Sequence, residues 1–132
     1  MKSITQILWT LTVFLLGATT ALAQDPRRAL SEEAKQQVEA ALPAQAPATP
    51  QSSRKLLIYD GNVGYGGHGS IPYANHAFTR MGEKTGAFTT EVSNAPSVFQ
   101  KEHLAQFDAV CLNNTVGNLF TDPVLRQNLL EF

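Results

Sequence analysis

The sequence has little cysteine, little charge and no dense cluster of basic residues. Its single cysteine, Cys111, argues against a disulfide-held fold, because secreted domains of that kind carry an even set. Charged residues make up 16% of the 132 residues, and the formal net charge is -1. The only adjacent basic pairs are Arg27-Arg28 and Arg54-Lys55. This pattern argues against nucleic acid or an anionic membrane surface as partner, and the length fits at most one small domain.

Residues 1–23 have the pattern of a bacterial-type export signal. Lys2 gives a positive start, an apolar run follows over residues 4–16, and Ala21-Leu22-Ala23 puts small residues where a signal peptidase reads. The apolar run is shorter than the roughly 20 residues needed to span a bilayer. We therefore expect cleavage after Ala23, a periplasmic or secreted protein, and no membrane partner after cleavage.

Residues 24–53 have the composition of an Ala/Pro-rich linker with one possible helix. The helix is predicted over residues 31–42, since Ala34, Val38 and Leu42 recur at a spacing of four. A helix of this length is stable only when it packs against another element. The residues from Pro43 onward have linker composition and no core of their own.

Strand and helix patterns alternate through residues 54–132. An apolar run at residues 55–60 predicts a central parallel strand, alternation at 88–92 predicts an edge strand, and the run at 108–113 predicts a third strand. Parallel strands joined by right-handed helical crossovers give the order 2-1-3. The predicted fold is α/β, a three-layer, flavodoxin-like doubly wound parallel sheet of which the first three strands are present. Because the third strand is too apolar for an edge, we expect the domain to continue beyond Phe132 with a further strand.

The helices between these strands have recognisable ends. Ser70 is a good N-cap residue and Pro72 is tolerated in the first turn, while Gly86 can take the left-handed conformation of a C-cap. A short helical turn is predicted over residues 97–107. A last helix is predicted to begin at Thr121-Asp122-Pro123.

Ligands of open α/β sheets bind at the carboxyl ends of the strands. The loop 60–70, the pair Ser93-Asn94 and the segment Asn113-Asn114-Thr115 follow the three predicted strands. We expect Asp60 to orient a ligand hydroxyl or His68, although it could instead cap the loop. The amide and hydroxyl groups of residues 113–115 suit a sugar-like ligand, although ordinary turn chemistry is the alternative.

His68 is the predicted acid/base residue. It lies between glycines just before a helix N-terminus, which disfavours the charged imidazolium and leaves a neutral ring available as a base or a metal ligand. The alternative is a loop histidine that only packs. His76 is predicted to be solvated, and His103 lies on a polar turn. These histidines lack the i, i+4 spacing of metal ligands, so no metal site is predicted.

The loop also contains Gly64-Tyr65-Gly66-Gly67-His68-Gly69, a literal G-x-G-x-x-G pattern. Gly64 lies four residues beyond Asp60, farther from the strand than this fingerprint requires. Strand two ends in Ser93-Asn94 in place of the acidic residue that binds a ribose. Nucleotide binding is therefore the less favoured interpretation. No nucleophile with a matching base is apparent, since Cys111 lies within a strand.

Two segments resemble the trehalose-utilisation (ThuA-like) family. The first runs from Lys55-Leu56-Leu57-Ile58-Tyr59 to His68-Gly69-Ser70-Ile71, a strand followed by a loop that ends in His-x-Ser-Ile. The second is residues 107–115, followed by Gly117 and a helix. The resemblance covers residues 55–132, so 54–132 is interpreted as the N-terminal part of a ThuA-like domain. The glycine-rich first loop is longer than is typical of that family.

The resemblance implies a fold similar to class I glutamine amidotransferases and a role in sugar metabolism, of trehalose or keto-sugar type. It matches His68 and Ser70 to the family's His and Ser, and Asn113 and Thr115 to its polar strand-end residues. The family's next strand, with its Gly-rich turn and following His, would lie beyond Phe132. No particular cofactor or oligomeric state follows from the sequence.

The leading hypothesis is an exported domain that acts on or binds a sugar or sugar derivative. His68 would be its acid/base residue, and the ligand-binding residues would be Asp60, Ser70, Asn113, Asn114 and Thr115. Whether the domain is an enzyme stays open, because a non-catalytic carbohydrate-binding or scaffold module fits the same residues.

Overall fold

A computed structural model describes residues 29–132, so the predicted export signal and residues 24–28 lie outside the described residues. The described elements, in chain order, are α1 Glu32–Ala41, β1 Lys55–Tyr59, α2 Ile71–Thr85, β2 Thr89–Ser93, a 3-10 turn Pro96–Phe99, α3 Lys101–Leu104, β3 Ala109–Leu112 and α4 Pro123–Glu131.

The three strands form one parallel sheet in the order β2-β1-β3, which confirms the predicted α/β fold and strand order. Tyr59 is level with Ser93 on one side and with Leu112 on the other. The second strand begins one residue later than predicted, because the ladder starts where the amide of Thr89 donates to the carbonyl of Arg54 at 2.8 Å. All three strands therefore end at the same edge of the sheet.

The larger core lies on the sheet face that carries Leu57 and Tyr59. These side chains pack with Val98, Phe99, Leu104 and Phe107 of the segment that connects β2 to β3. Edge-to-face aromatic contacts link Tyr59 to Phe99 and Phe99 to Phe120, with ring centroids 4.8 and 4.7 Å apart. Leu125 and Leu129 of α4 pack on the same cluster, so this helix is held on one face of the sheet.

Helix α2 lies on the opposite face, with Ile71 and Ile58 fully buried. Gly86 takes the predicted left-handed C-cap conformation with φ of 65°. Ser70 stands at the N-cap position, but its side chain makes no capping bond because its backbone is already helical. The carbonyl of Ser70 instead accepts the first helical bond, from the amide of Ala74 at 3.0 Å.

Helix α1 packs against α2, which supplies the support that so short a helix needs. Ser31 caps its N-terminus by accepting from the amide of Ala34 at 3.1 Å. Glu39 pairs with Arg80, and the ammonium of Lys84 donates to the carbonyl of Glu39 at 3.2 Å. These contacts hold the C-terminal half of α1 to α2.

His76 is not solvated as predicted. It lies in α2 on the side that α1 covers, it is half-buried, and its Nε2 atom is buried without a hydrogen-bond partner among residues 29–132. Glu32 and Glu39 of α1 are close enough to interact with it electrostatically. The prediction was wrong because periodicity within α2 could not show that a separate helix packs on that face.

Apolar side chains are partly open on both outer strands. Val92 of β2 is 44% exposed and Leu112 of β3 is 46% exposed. Cys111 is half-buried, and this burial raises the pKa of its thiol, so the cysteine stays protonated at neutral pH. In residues 29–132, no helix is both long and apolar enough to cross a bilayer.

A polar cluster joins β1, β2 and α3. Glu91 accepts from the ammonium of Lys55 at 2.8 Å through one oxygen and lies 2.9 Å from Nε2 of His103 through the other. Both partners also contact the ring of Phe107. The hydrogen bond from Lys55, followed by that from His103, lowers the pKa of Glu91 below its usual value of 4.5.

Replacing Glu91→Gln should therefore lower the free energy of unfolding at pH 7, and the loss should shrink in acid. A carboxyl whose pKa is lower in the folded than in the unfolded protein stabilises the fold at pH values above its unfolded-state pKa. This stabilisation is lost as the pH falls through the pKa of the folded state. Because the cluster is about one-third exposed, the loss at pH 7 should stay below about 1 kcal/mol. Urea unfolding between pH 7 and pH 3 measures it.

Glu102→Gln is the matched control, since this exposed carboxyl of α3 forms no side-chain hydrogen bond among the described residues. Its stability difference from the parent should be near zero at every pH. A Glu91→Gln deficit that keeps its full size at pH 3 would contradict the lowered pKa.

Candidate functional site

The parallel sheet brings Asp60, Ser93 and Asn113 side by side at its carboxyl edge. The amide of Asp60 donates to the carbonyl of Ser93 at 3.0 Å. On the other side, the amide of Asn113 donates to the carbonyl of Tyr59 at 2.8 Å. The backbone ladder thus extends one residue beyond the strands and sets the side chains of Asp60 and Asn113 at adjacent positions.

Asp60 is a buried carboxylate, with only 6% of its surface exposed. Its Oδ2 accepts a hydrogen bond from Nδ2 of Asn75 at 2.7 Å. No lysine or arginine pairs with it among the described residues. Burial, together with the negative charge of Asp60, raises the pKa of the neighbouring Tyr59 hydroxyl. A buried carboxylate with one neutral partner is an unusual arrangement that is concentrated at functional sites.

Asn113 is buried to a similar extent, at 4% exposure. Its Nδ2 donates to Oδ1 of Asn75 at 2.8 Å and to the carbonyl of Ile71 at 3.1 Å. Its Oδ1 accepts from Nδ2 of Asn114 at 2.6 Å. Asn114 has a positive φ of 52°, a conformation that asparagine tolerates better than most residues. The two asparagines predicted from the sequence therefore belong to one hydrogen-bonded chain of side chains.

Asn75 was not predicted as a site residue from the sequence. It lies one turn into α2 and contacts both Asp60 and Asn113. The only available signal was its position four residues after Ile71, which places it on the helix face that meets the sheet. An asparagine on a helix that covers a parallel sheet is a polar residue at a core position, and this calls for an explanation.

The loop after β1 is tied to the segment after β3. Asn62 and Val116 form an isolated parallel bridge, and the amide of Val63 donates to the carbonyl of Val116 at 2.9 Å. Gly117 has a φ of 88°, and a Cβ built there would lie 2.3 Å from the carbonyl oxygen of Val63. The close approach of the two loops therefore depends on a glycine at position 117.

His68 is exposed and lies in the same loop. Its ring is tilted against that of Tyr65, with centroids 5.1 Å apart, and its carbonyl accepts from the amide of Ile71 at 3.1 Å. Asp60 does not orient it, because the side-chain bond found for Asp60 goes to Asn75. The imidazole is thus open to solvent and to a ligand, with an aromatic neighbour.

The remaining predicted residues lie near this edge in different settings. Ser70 is exposed at the start of α2, and Thr115 is half-buried between Asn114 and the Val116 bridge. Ser93, at the end of β2, uses its hydroxyl to accept from the amide of Ala95 at 3.2 Å. The structure therefore joins Asp60, Asn113 and Asn114 through hydrogen bonds but does not join His68, Ser70 or Thr115 to them.

Two surface depressions lie at the opposite, amino-terminal edge of the sheet. One, of about 430 Å³, includes Arg54, Thr79 and Thr90 in its lining, and another, of about 330 Å³, includes Leu56 and Ala109. Arg54 is already paired with Asp108 at 2.7 Å, so it offers no free charge to a ligand. Because ligands of open parallel sheets bind at the carboxyl edge, we place the candidate site there and not in these depressions.

The loops at the carboxyl edge carry acceptors, amides and the imidazole of His68, but no lysine or arginine. The chain has no lysine or arginine between residues 56 and 79 or between 102 and 125. Within residues 29–132, no group of three or more His, Cys, Asp or Glu side chains is placed to hold a metal ion. Chemically, this edge suits the hydroxyls of an uncharged ligand better than a phosphate.

Comparison with known proteins identifies a family. Residues 55–131 match the model of a family described as ThuA, trehalose utilisation. Neither the curated proteins nor the solved structures yielded a match to the chain. The matched range runs from β1 to the last residue of α4 and therefore includes all the residues of the candidate site.

Gly117→Ala should separate the two loops and destabilise the protein. A non-glycine residue in the left-handed region costs roughly 1–2 kcal/mol, and the clash with the Val63 carbonyl adds to this cost. The free energy of unfolding in urea measures the effect.

Gly69→Ala is the matched control, because a Cβ at that position meets no atom within 4 Å and the backbone of Gly69 does not have a positive φ. It should change stability by no more than about 0.5 kcal/mol. Equal stability of the Gly117 and Gly69 variants would show that the loops do not depend on this close approach.

Proposed function

Since this chain belongs to the trehalose-utilisation (ThuA) family, we propose that it binds and acts on a sugar or sugar derivative at the carboxyl edge of its sheet. A sugar of trehalose or keto-sugar type is the proposed class. The observation that carries the proposal is the hydrogen-bonded chain of the buried Asp60, the half-buried Asn75 and the buried Asn113, which ends at the exposed Asn114. Carboxylate and amide groups fixed in this way suit the donor and acceptor pattern of sugar hydroxyls.

The charge of the site supports an uncharged sugar over a sugar phosphate. The carboxylate of Asp60 accepts a hydrogen bond from Asn75, in the second turn of α2, and has no basic side chain paired with it among the described residues. A phosphate placed there would face this carboxylate without help from a lysine or arginine. The carboxylate and the lack of a lysine or arginine also disfavour a nucleoside diphosphate bound by the glycine-rich loop.

His68 is the proposed acid/base residue. Its ring is exposed at the same edge, and Tyr65 supplies an apolar surface beside it on which the face of a sugar ring can pack. General acid–base catalysis by a positioned side chain contributes roughly 10²–10⁴-fold to a rate. A binding module without catalysis is the second candidate, favoured by the absence of any hydrogen bond between His68 and Asp60 in residues 29–132.

Trehalose should bind to the protein, and His68→Ala should slow its conversion at least about 100-fold while binding changes little. Isothermal titration gives the affinity, and NMR of the sugar gives the turnover. Trehalose 6-phosphate should bind at least tenfold more weakly than trehalose, and Asp60→Asn should reduce this difference because it removes the repelling charge.

His103→Ala is the control, because that histidine lies on α3 and pairs with Glu91. It should leave binding and turnover of trehalose at the level of the parent. Binding without turnover in the parent protein would favour the non-catalytic module, whereas tighter binding of the phosphate would contradict the proposed site.

Export to the periplasm or the medium is part of the same proposal and is based on residues 1–23 alone. The mature protein should begin at Gln24, because a signal peptidase would cut after Ala23. Intact mass measurement of protein expressed with its own N-terminus in a bacterial host checks this. A mass that retains residues 1–23 would contradict it.

A further inference from the structure

Side chains from three separate elements meet at Asn75. The chain leaves β1 at Asp60 and β3 at Asn113, and α2 brings Asn75 between them. Nδ2 of Asn75 donates to Oδ2 of Asp60 at 2.7 Å, and its Oδ1 accepts from Nδ2 of Asn113 at 2.8 Å. The side-chain amide of Asn75 thus donates from its NH₂ group to the residue after β1 and accepts through its oxygen from the residue after β3.

Among side chains of this size, only an asparagine satisfies both neighbours. An aspartate at position 75 could accept from Asn113 but could not donate to the carboxylate of Asp60. An apolar residue would do neither, and both neighbours are more than nine-tenths buried. A buried polar atom that loses its partner incurs a desolvation penalty, so the choice of residue at position 75 is restricted by its two neighbours.

The carboxylate of Asp60 and the carbonyl of Ile71, which can only accept, together fix the direction of the chain of amides. Since Asp60 can only accept, Asn75 must turn its NH₂ group toward it and its oxygen toward Asn113. Asn113 then turns its NH₂ group to Asn75 and its oxygen to Asn114. Asn114 uses its NH₂ group on Asn113, which leaves the oxygen of this exposed side chain available to a ligand.

We infer that Asn75 is a positioning residue, which sets the orientation of Asp60, Asn113 and Asn114 so that the sheet edge presents oxygen acceptors to ligand hydroxyls. The inference deepens the proposed function and rests on it for the nature of the ligand. The orientation itself depends only on hydrogen bonds within the protein.

Asn75→Ala should change the side-chain amide NMR signals of Asn113 and Asn114, although Asn114 does not touch the replaced residue. The same variant should weaken trehalose binding about tenfold or more, because Asp60 and Asn113 lose a partner. Asn118→Ala is the matched control. It removes an exposed asparagine that, like Asn113 and Asn114, follows β3. It should leave the amide signals of Asn113 and Asn114 and the affinity for trehalose unchanged.

A second pair of variants tests orientation without changing volume. Asn75→Asp keeps the acceptor for Asn113 but places a second carboxylate against Asp60, so it should disturb both the amide signals and binding. The double variant Asp60→Asn/Asn75→Asp exchanges carboxylate and amide between the two positions and restores one donor–acceptor pair. The double variant should recover the amide signals of Asn113 and Asn114. If residue 75 served only in packing, no such recovery would be expected.

The outcomes separate the two proposals. Unchanged Asn114 signals in Asn75→Ala would overturn the positioning role, whether or not trehalose binds. So would a double variant whose amide signals of Asn113 and Asn114 are disturbed as much as the effects of Asp60→Asn and Asn75→Asp added together. If the parent protein binds no trehalose, but the amide signals are lost in the single variants and recovered in the double variant, the positioning role of Asn75 stands. Only the proposed ligand is then wrong.

Discussion

The candidate site depends on one constraint, the parallel pairing of β1 with a strand on each side. Because β2 and β3 both run in the direction of β1, the residues that follow all three strands lie at one edge. The hydrogen bonds of Asp60 to Ser93 and of Asn113 to Tyr59 extend that pairing past the strands. A carboxylate and an amide far apart in sequence thereby become neighbours, which no local interaction could achieve.

Asp60 and Asn113 at this edge are buried, so their hydrogen bonds have to be satisfied within the fold. Asn75 provides both missing partners from the helix that covers the sheet. In most α/β domains an apolar residue would occupy that helix face, and the presence of an amide is explained by the carboxylate beneath it. The match to the ThuA family covers this whole arrangement.

Much of the fold could be predicted from the sequence, and the errors have specific physical causes. The apolar runs and caps identified three strands and the ends of α2, since these signals are local. The solvated state predicted for His76 was wrong because α1 packs over it. Of the two roles predicted for Asp60, orientation of His68 is not seen, because its side-chain hydrogen bond goes to Asn75, and orientation of a ligand hydroxyl stays a prediction. In both places a second element, distant in sequence, contacts the residue.

The sequence alone determined the strand order, the carboxyl edge as the place of the polar residues, and the family to which residues 55–131 belong. These follow from hydrophobic periodicity, chain direction and short motifs, which are properties of neighbouring residues. Only the tertiary structure decided which polar groups touch. It linked Asp60 to Asn113 through Asn75 and left His68 beside Tyr65, because hydrogen-bond geometry is fixed by packing α2 onto the sheet.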